Sequence, residues 1–210
     1  ELVVTPAAAP ATIATVTAPC ASNAKKPKNC RCVETSRHVS IDVEAAATGY
    51  GHNDRAPCWV AVVNEQGVEL LNRKILVPGC VSALTAISGV TVQQLEEEGL
   101  PFDHVRDEVI SLLGPDVVLV GQSIQNDIDW MQLEEGQHFK ASLDLMQVFK
   151  SFNKKHDGWT IFGLAAEAYA LLGKTIQAPG QPHDPAVDAS ISMELYREWV
   201  EPGDTRQKVA

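Results

Sequence analysis

His38-Val-Ser-Ile-Asp-Val-Glu44 alternates the apolar Val39, Ile41 and Val43 with Ser40, Asp42 and Glu44, the period of two that marks a β-strand. Asp42 and Glu44 therefore share one face of that strand. Acidic side chains disfavour strands, so two on one face ask for a reason. Downstream, Cys58-Trp-Val-Ala-Val-Val63 and Val68 to Val77 flank Asn64-Glu-Gln-Gly67 and read as a hairpin with a short turn. Phe102, Val105, Val109 and Leu112 fall on one face of a helix ending at Gly114. Asp116-Val-Val-Leu-Val120 is a continuous apolar run closed by Gly121, as expected of a strand buried on both faces, and a helix carrying Asp127 follows. Trp159 to Leu172, ended by Gly173, reads as an apolar helix. A last helix is capped by Asp184 with Pro185 at its first position, and its apolar stripe is Val187, Ile191, Leu195 and Trp199. The order predicts an α/β fold, a mixed sheet flanked by helices.

Carboxylates raise one another's pKa at close range and resist burial, so a fold that gathers several does so around divalent cations. Along this chain the candidates are Asp42, Glu44, Asp127 and Asp188, with His183 just ahead of the last helix. Each has an ordinary reading when taken singly. Asp42 and Glu44 suit a solvated edge strand, Asp127, Asp129 and Asp188 suit the charge favoured in a first helical turn, and His183 suits a surface loop.

Taken in order, these residues resemble the DEDDh 3′-to-5′ exonucleases of the ribonuclease-H-like fold, over roughly residues 38–200. The pieces are Ile-Asp42-Val-Glu44, Gly121-Gln-Ser-Ile-Gln-Asn126-Asp127 and His183-Asp-Pro-Ala-Val-Asp188. Ile87-Ser-Gly89-Val90 with Leu95, and Leu143-Asp144-Leu145, match two further family segments. Within the family, the chain looks most like the eukaryotic RNA exonucleases, including the RNA exonuclease 4 group, the interferon-stimulated exonuclease and the Pan2 nuclease domain. The resemblance implies a ribonuclease-H-like mixed sheet and a two-metal site. Asp42, Glu44, Asp127 and Asp188 would hold two Mg²⁺ or Mn²⁺ ions about 3.5–4 Å apart. His183, a residue whose ordinary pKa is about 6.5, would serve as general base. Alignment to Asn126-Asp127 selects Asp127 over the nearby Asp129.

The expected reaction releases nucleoside 5′-monophosphates from single-stranded 3′ ends, with RNA favoured over DNA by the resemblance alone. A binding or scaffolding module of the same fold, or a DNA proofreading or repair exonuclease, are the alternatives. Two positions depart from the family pattern: Gln122 stands where relatives commonly carry His, and Ala45 where many carry a larger apolar residue. Both imply a looser hold on the terminal nucleotide. Ala45, Gln122, Asn126 and the basic Lys150, Lys154 and Lys155 are the candidate nucleic-acid contacts, the lysines in a loop after Asp144.

The chain has 210 residues, 45% of them hydrophobic, and a formal charge of −10. Its first 40 residues carry five basic and two acidic side chains, so the remainder is more acidic than the total suggests. That excess argues against a broad groove for long duplexes, whose binding rests on many phosphate contacts. Residues 1–37, rich in Ala, Pro and Thr and then basic, read as a flexible leader to a domain over 38–201, with 202–210 as a tail. Five cysteines form no even disulfide framework, and no apolar run reaches membrane-span length. A soluble protein of a reducing intracellular compartment, without a membrane partner, is expected. A zinc site from Cys20, Cys30, Cys32 and His38 matches no common spacing, and free thiols are expected.

Overall fold

The computed structural model describes residues 38–51 and 53–201. The expected leader and tail, and with them Cys20, Cys30 and Cys32, lie outside the described residues. Cys58 and Cys80 are free thiols.

Three strands open the fold: β1 His38–Ala47, β2 Arg55–Asn64 and β3 Glu69–Lys74. Helices α1 Thr85–Ser88, α2 Val92–Glu98 and α3 Phe102–Leu112 follow. Then come β4 Val118–Gly121, α4 Gln125–Trp130, β5 Ala141–Asp144 and α5 Leu145–Val148. A two-stranded ribbon, β6 Lys150–Asn153 and β7 Gly158–Ile161, leads to α6 Leu164–Glu167 and α7 Pro185–Leu195. Both last helices continue into π-helical turns, Ala168–Leu172 and Tyr196–Val200.

The sheet order is β3-β2-β1-β4-β5, with β1 to β3 antiparallel and β4 and β5 parallel to β1. This is the mixed, helix-flanked sheet expected. β1 holds its centre. Val39, Ile41 and Val43 enter one apolar layer with Val105 of α3, Ile128 of α4 and Ile124 just before α4. Across from Ser40 sits Val63, which belongs to the opposite layer with Ala189, Met193 and Leu195 of α7. Alternation thus places Ser40, Asp42 and Glu44 on the α7 side. In β4, Leu119 joins the first layer and Val120 the second, which explains an uninterrupted apolar run. A bulge at Glu44/Ala45 breaks the β1–β2 register beside the acidic pair, where Ala45 faces Pro57.

Three expectations need correction. Trp159 to Leu172 is not one helix: Trp159-Thr-Ile161 lies in β7, and the helix starts at Leu164 after Gly163. β-branched and aromatic residues with a strand partner at Lys150–Asn153 outweigh the apolar run that suggested a helix. Consequently Lys150 lies in β6, and Lys154 and Lys155 in its hairpin turn, rather than in a loop. Finally, α7 has no single apolar stripe. Val187 is 44% exposed, while Asp188, Ala189, Ile191, Ser192, Met193 and Leu195 are all buried, because the helix lies across β1 and β2 with most of its surface covered.

Candidate active site

Ligand atoms of Glu44, His183 and Asp188 lie within 4.8 Å of one another. His183 Nδ1 is 3.5 Å from Glu44 Oε1 and 3.5 Å from Asp188 Oδ2. Local sequence explains how each arrives. Glu44 comes from the middle of β1. Asp184 caps α7 by accepting from the Ala186 and Val187 N–H groups, with Pro185 at the first helical position. Asp188 then falls in the first turns, where the helix dipole favours an anion.

His183 is fixed through its backbone, whose N–H donates to the Ile87 carbonyl at 2.7 Å. The Ile87-Ser-Gly89 segment is thereby a buttress for the histidine. Gly89 closes α1 at φ 73°, and a Cβ there would stand 3.0 Å from the His183 carbonyl oxygen. Asp127 arrives from α4, with Oδ1 accepting the Val43 N–H at 2.8 Å. The last β1–β4 pairing is Ser40/Val120, so past that point a side chain replaces the missing strand. Asp129 is exposed and tied to Gln125, so the structure turns Asp127 and not Asp129 towards the cluster.

Electrostatically the cluster is an uncompensated acidic pocket. Burial, and then Asp127, Asp188 and Glu44, push the Asp42 carboxyl well above the ordinary range. Asp127 is raised mainly by burial, opposed by its bond from Val43. Burial, then Asp188 and Asp184, push Glu44 up to about 7. Asp188 is raised by burial and partly relieved by Gln177 and His183. Asp188 Oδ1 is buried without a hydrogen-bond partner among the described residues. A cluster of hard oxygen donors with one buried oxygen unmatched fits a divalent cation.

Gln177 escaped sequence reasoning altogether. Its Nε2 donates to Asp188 Oδ2 at 2.6 Å and lies 3.4 Å from His183 Nδ1, from a backbone at φ 49°. A lone glutamine in a polar loop carries no signal for that role. Ala45 and Asn126 line an open cleft of about 490 Å³ beside Glu44, together with Asn53, Arg55, Ile87 and Trp130. Arg55 was likewise not anticipated. Gln122 does not face the cleft. Its Nε2 donates to the Phe162 carbonyl at 2.9 Å and to Glu167 Oε1 at 3.2 Å. Lys150, Lys154 and Lys155 stand apart on the β6–β7 ribbon.

No family model matches the chain. RNA exonuclease 5 of Macaca fascicularis is 32% identical over 172 residues, covering 81% of this chain and 21% of that protein. Interferon-stimulated 20 kDa exonuclease-like 2 of Bos taurus is 32% identical over 171 residues, covering 77% of this chain and 47% of its own length. The nuclease-containing module of Saccharomyces cerevisiae Pan2, solved with A7 RNA, superposes with a TM-score of 0.66 at 20% identity over 84% of this chain and 31% of that one. The chain is similar over most of its length to exonucleases of the DEDDh type, and its fold is that of the ribonuclease-H-like superfamily. It spans from about a fifth to about half the length of these curated relatives. The exonuclease fold is carried by the sheet and the helices that converge on Glu44, Asp127, His183 and Asp188. Divalent metal use follows from the family and from the acidic pocket.

Proposed function

We propose that this chain is a metal-dependent 3′-to-5′ exonuclease that releases nucleoside 5′-monophosphates from single-stranded RNA. The observation that carries this reading is the meeting of Glu44, His183 and Asp188 within 4.8 Å in a pocket where the carboxyls of Asp42, Glu44, Asp127 and Asp188 are all raised. Nothing in the packing requires so repulsive a group, so a module freed from catalysis has no physical reason to hold it. RNA is favoured over DNA because the relatives are named RNA exonucleases and the Pan2 module is solved with RNA.

Asp42, Glu44, Asp127 and Asp188 would hold two ions, Mg²⁺ or Mn²⁺. When bound, such a pair supplies an activated water and neutralises charge at the leaving 3′ oxygen. The chain's own residues do the rest. Glu44 and Asp188 flank the His183 imidazole and the Ile87 carbonyl anchors its backbone, which supports a role in which the ring would take the proton of the attacking water. Ala45, Arg55 and Asn126 line the cleft that would seat the terminal nucleotide, with the Arg55 guanidinium as the cation near its phosphate.

The test is degradation of 5′-labelled single-stranded RNA and matching DNA with Mg²⁺, Mn²⁺ or chelator, alongside Asp42→Ala. A metal-dependent ladder shortening from the 3′ end and lost in the variant is expected. No cleavage of either strand by folded, Mn²⁺-binding protein would overturn the reading.

A further inference from the structure

The β6–β7 ribbon lies outside the acidic pocket, and its two faces differ. Register pairs Lys150 with Ile161 and Phe152 with Trp159, so all four side chains project from one face. On that face Phe152, Trp159 and Ile161 are 41%, 48% and 50% exposed. The two rings meet edge to face at 5.4 Å, and the Lys150 ammonium sits 5.0 Å from the Trp159 ring centroid. Lys154 and Lys155 occupy the turn. Arg73, Lys74 and Lys174 are each paired with a carboxylate, whereas these three lysines form no ion pair among the described residues.

The turn that presents Asp127 is tied to the end of β7 and, on the other side, to the end of β5, from which α5 leads to β6. Gln122 donates to the carbonyl of Phe162, just past β7. Ser123 donates its backbone N–H at 2.9 Å to Asp144, immediately before α5 and β6. Gln122 is itself held by Glu167, a buried carboxyl that burial pushes up to about 8.

We propose that the Phe152/Trp159 face of this ribbon is a stacking platform for bases of the substrate strand 5′ to its cleaved end, with Lys150, Lys154 and Lys155 taking the adjacent phosphates. Exposed aromatic rings interleaved with unpaired cations are the chemistry that grips single strands without reading sequence. On a chain of net charge −10, a separate basic aromatic ribbon offers phosphates a site that the acidic pocket does not.

This inference rests on the exonuclease reading for its substrate, but its test does not need turnover. Anisotropy of a labelled 12-nucleotide single-stranded RNA, measured in chelator, reports binding alone. Trp159→Ala should weaken it about tenfold while Trp159→Phe retains most of it. Lys154→Ala with Lys155→Ala should flatten the salt dependence by roughly 0.7 per lysine in the log–log slope. Circular dichroism confirms that each variant is folded. If the wild type cleaves, Trp159→Ala should lower kcat/KM by a larger factor on the 12-mer than on a trinucleotide, which has fewer bases to stack. Equal affinity of wild type and Trp159→Ala for the 12-mer overturns the platform and leaves the face to a protein partner. Binding that depends on Trp159 without cleavage of any RNA supports the platform and sinks the exonuclease.

Discussion

Asp188 concentrates the physics of the site at the scale of one residue. Its Oδ2 takes the Gln177 amide while Oδ1 is buried without a partner among the described residues, and its charge sits beside Glu44 and Asp184. Asp188→Ala should abolish turnover yet leave the melting temperature in chelator unchanged or higher, because a like charge leaves the cluster. A marked fall in melting temperature would assign Asp188 a structural role instead. His183→Ala should keep Mn²⁺ binding and lose about 10²–10⁴-fold in kcat, the usual worth of a general base. Gly89→Ala reaches the same histidine indirectly. A Cβ at φ 73° and 3.0 Å from the His183 carbonyl must strain or shift that backbone. Activity should then fall by more than the stability loss explains, as read by kcat against the denaturation midpoint.

Individual elements were unequally legible. α7 was announced by Asp184-Pro185, and the structure has that cap as expected. Asp184→Ala should lower stability by about 1 kcal/mol in denaturant unfolding, the usual cost of losing a cap. Its apolar stripe was misread because a helix buried nearly all round has no preferred side. β4 was legible for the complementary reason, since a strand covered on both faces shows one unbroken run. The ribbon was missed. Lys150-Ser-Phe-Asn153 is too polar to stand out, and Trp159-Thr-Ile161 merges with the apolar residues of α6.

Across the whole molecule, the raised carboxyls couple folding to pH and to metal. Groups held above their ordinary pKa bind more protons folded than unfolded, so their contribution to stability is fully present below the unfolded value and is lost as pH rises through the folded one. For Glu44 that window runs from 4.5 to about 7, and for Glu167 from 4.5 to about 8. Metal-free protein should therefore lose melting temperature between pH 5 and 8. Mn²⁺ should restore it, and more at pH 8 than at pH 5.5, because protons no longer compete for the ligands. Thermal denaturation with and without chelator checks both, and an equal metal effect at the two pH values would contradict the linkage. Glu167→Gln should remove the part of this dependence that lies outside the metal cluster.

By itself the sequence determined the strand that carries Asp42 and Glu44, the buried β4, the capped start of α7 and the order in which the acids occur. These are local properties, set by side-chain period, caps and burial within a few residues. Only the tertiary structure decided which groups meet. Glu44 and His183 touch because α7 crosses β1, Asp127 turns inward because β1 outruns β4, and Gln177 joins the site from a loop and Arg55 from the start of β2, neither with a motif. Gln122 faces Glu167 rather than the cleft for the same reason: contacts between residues far apart in the chain follow from packing and from the pairing of buried polar groups, which no local pattern encodes.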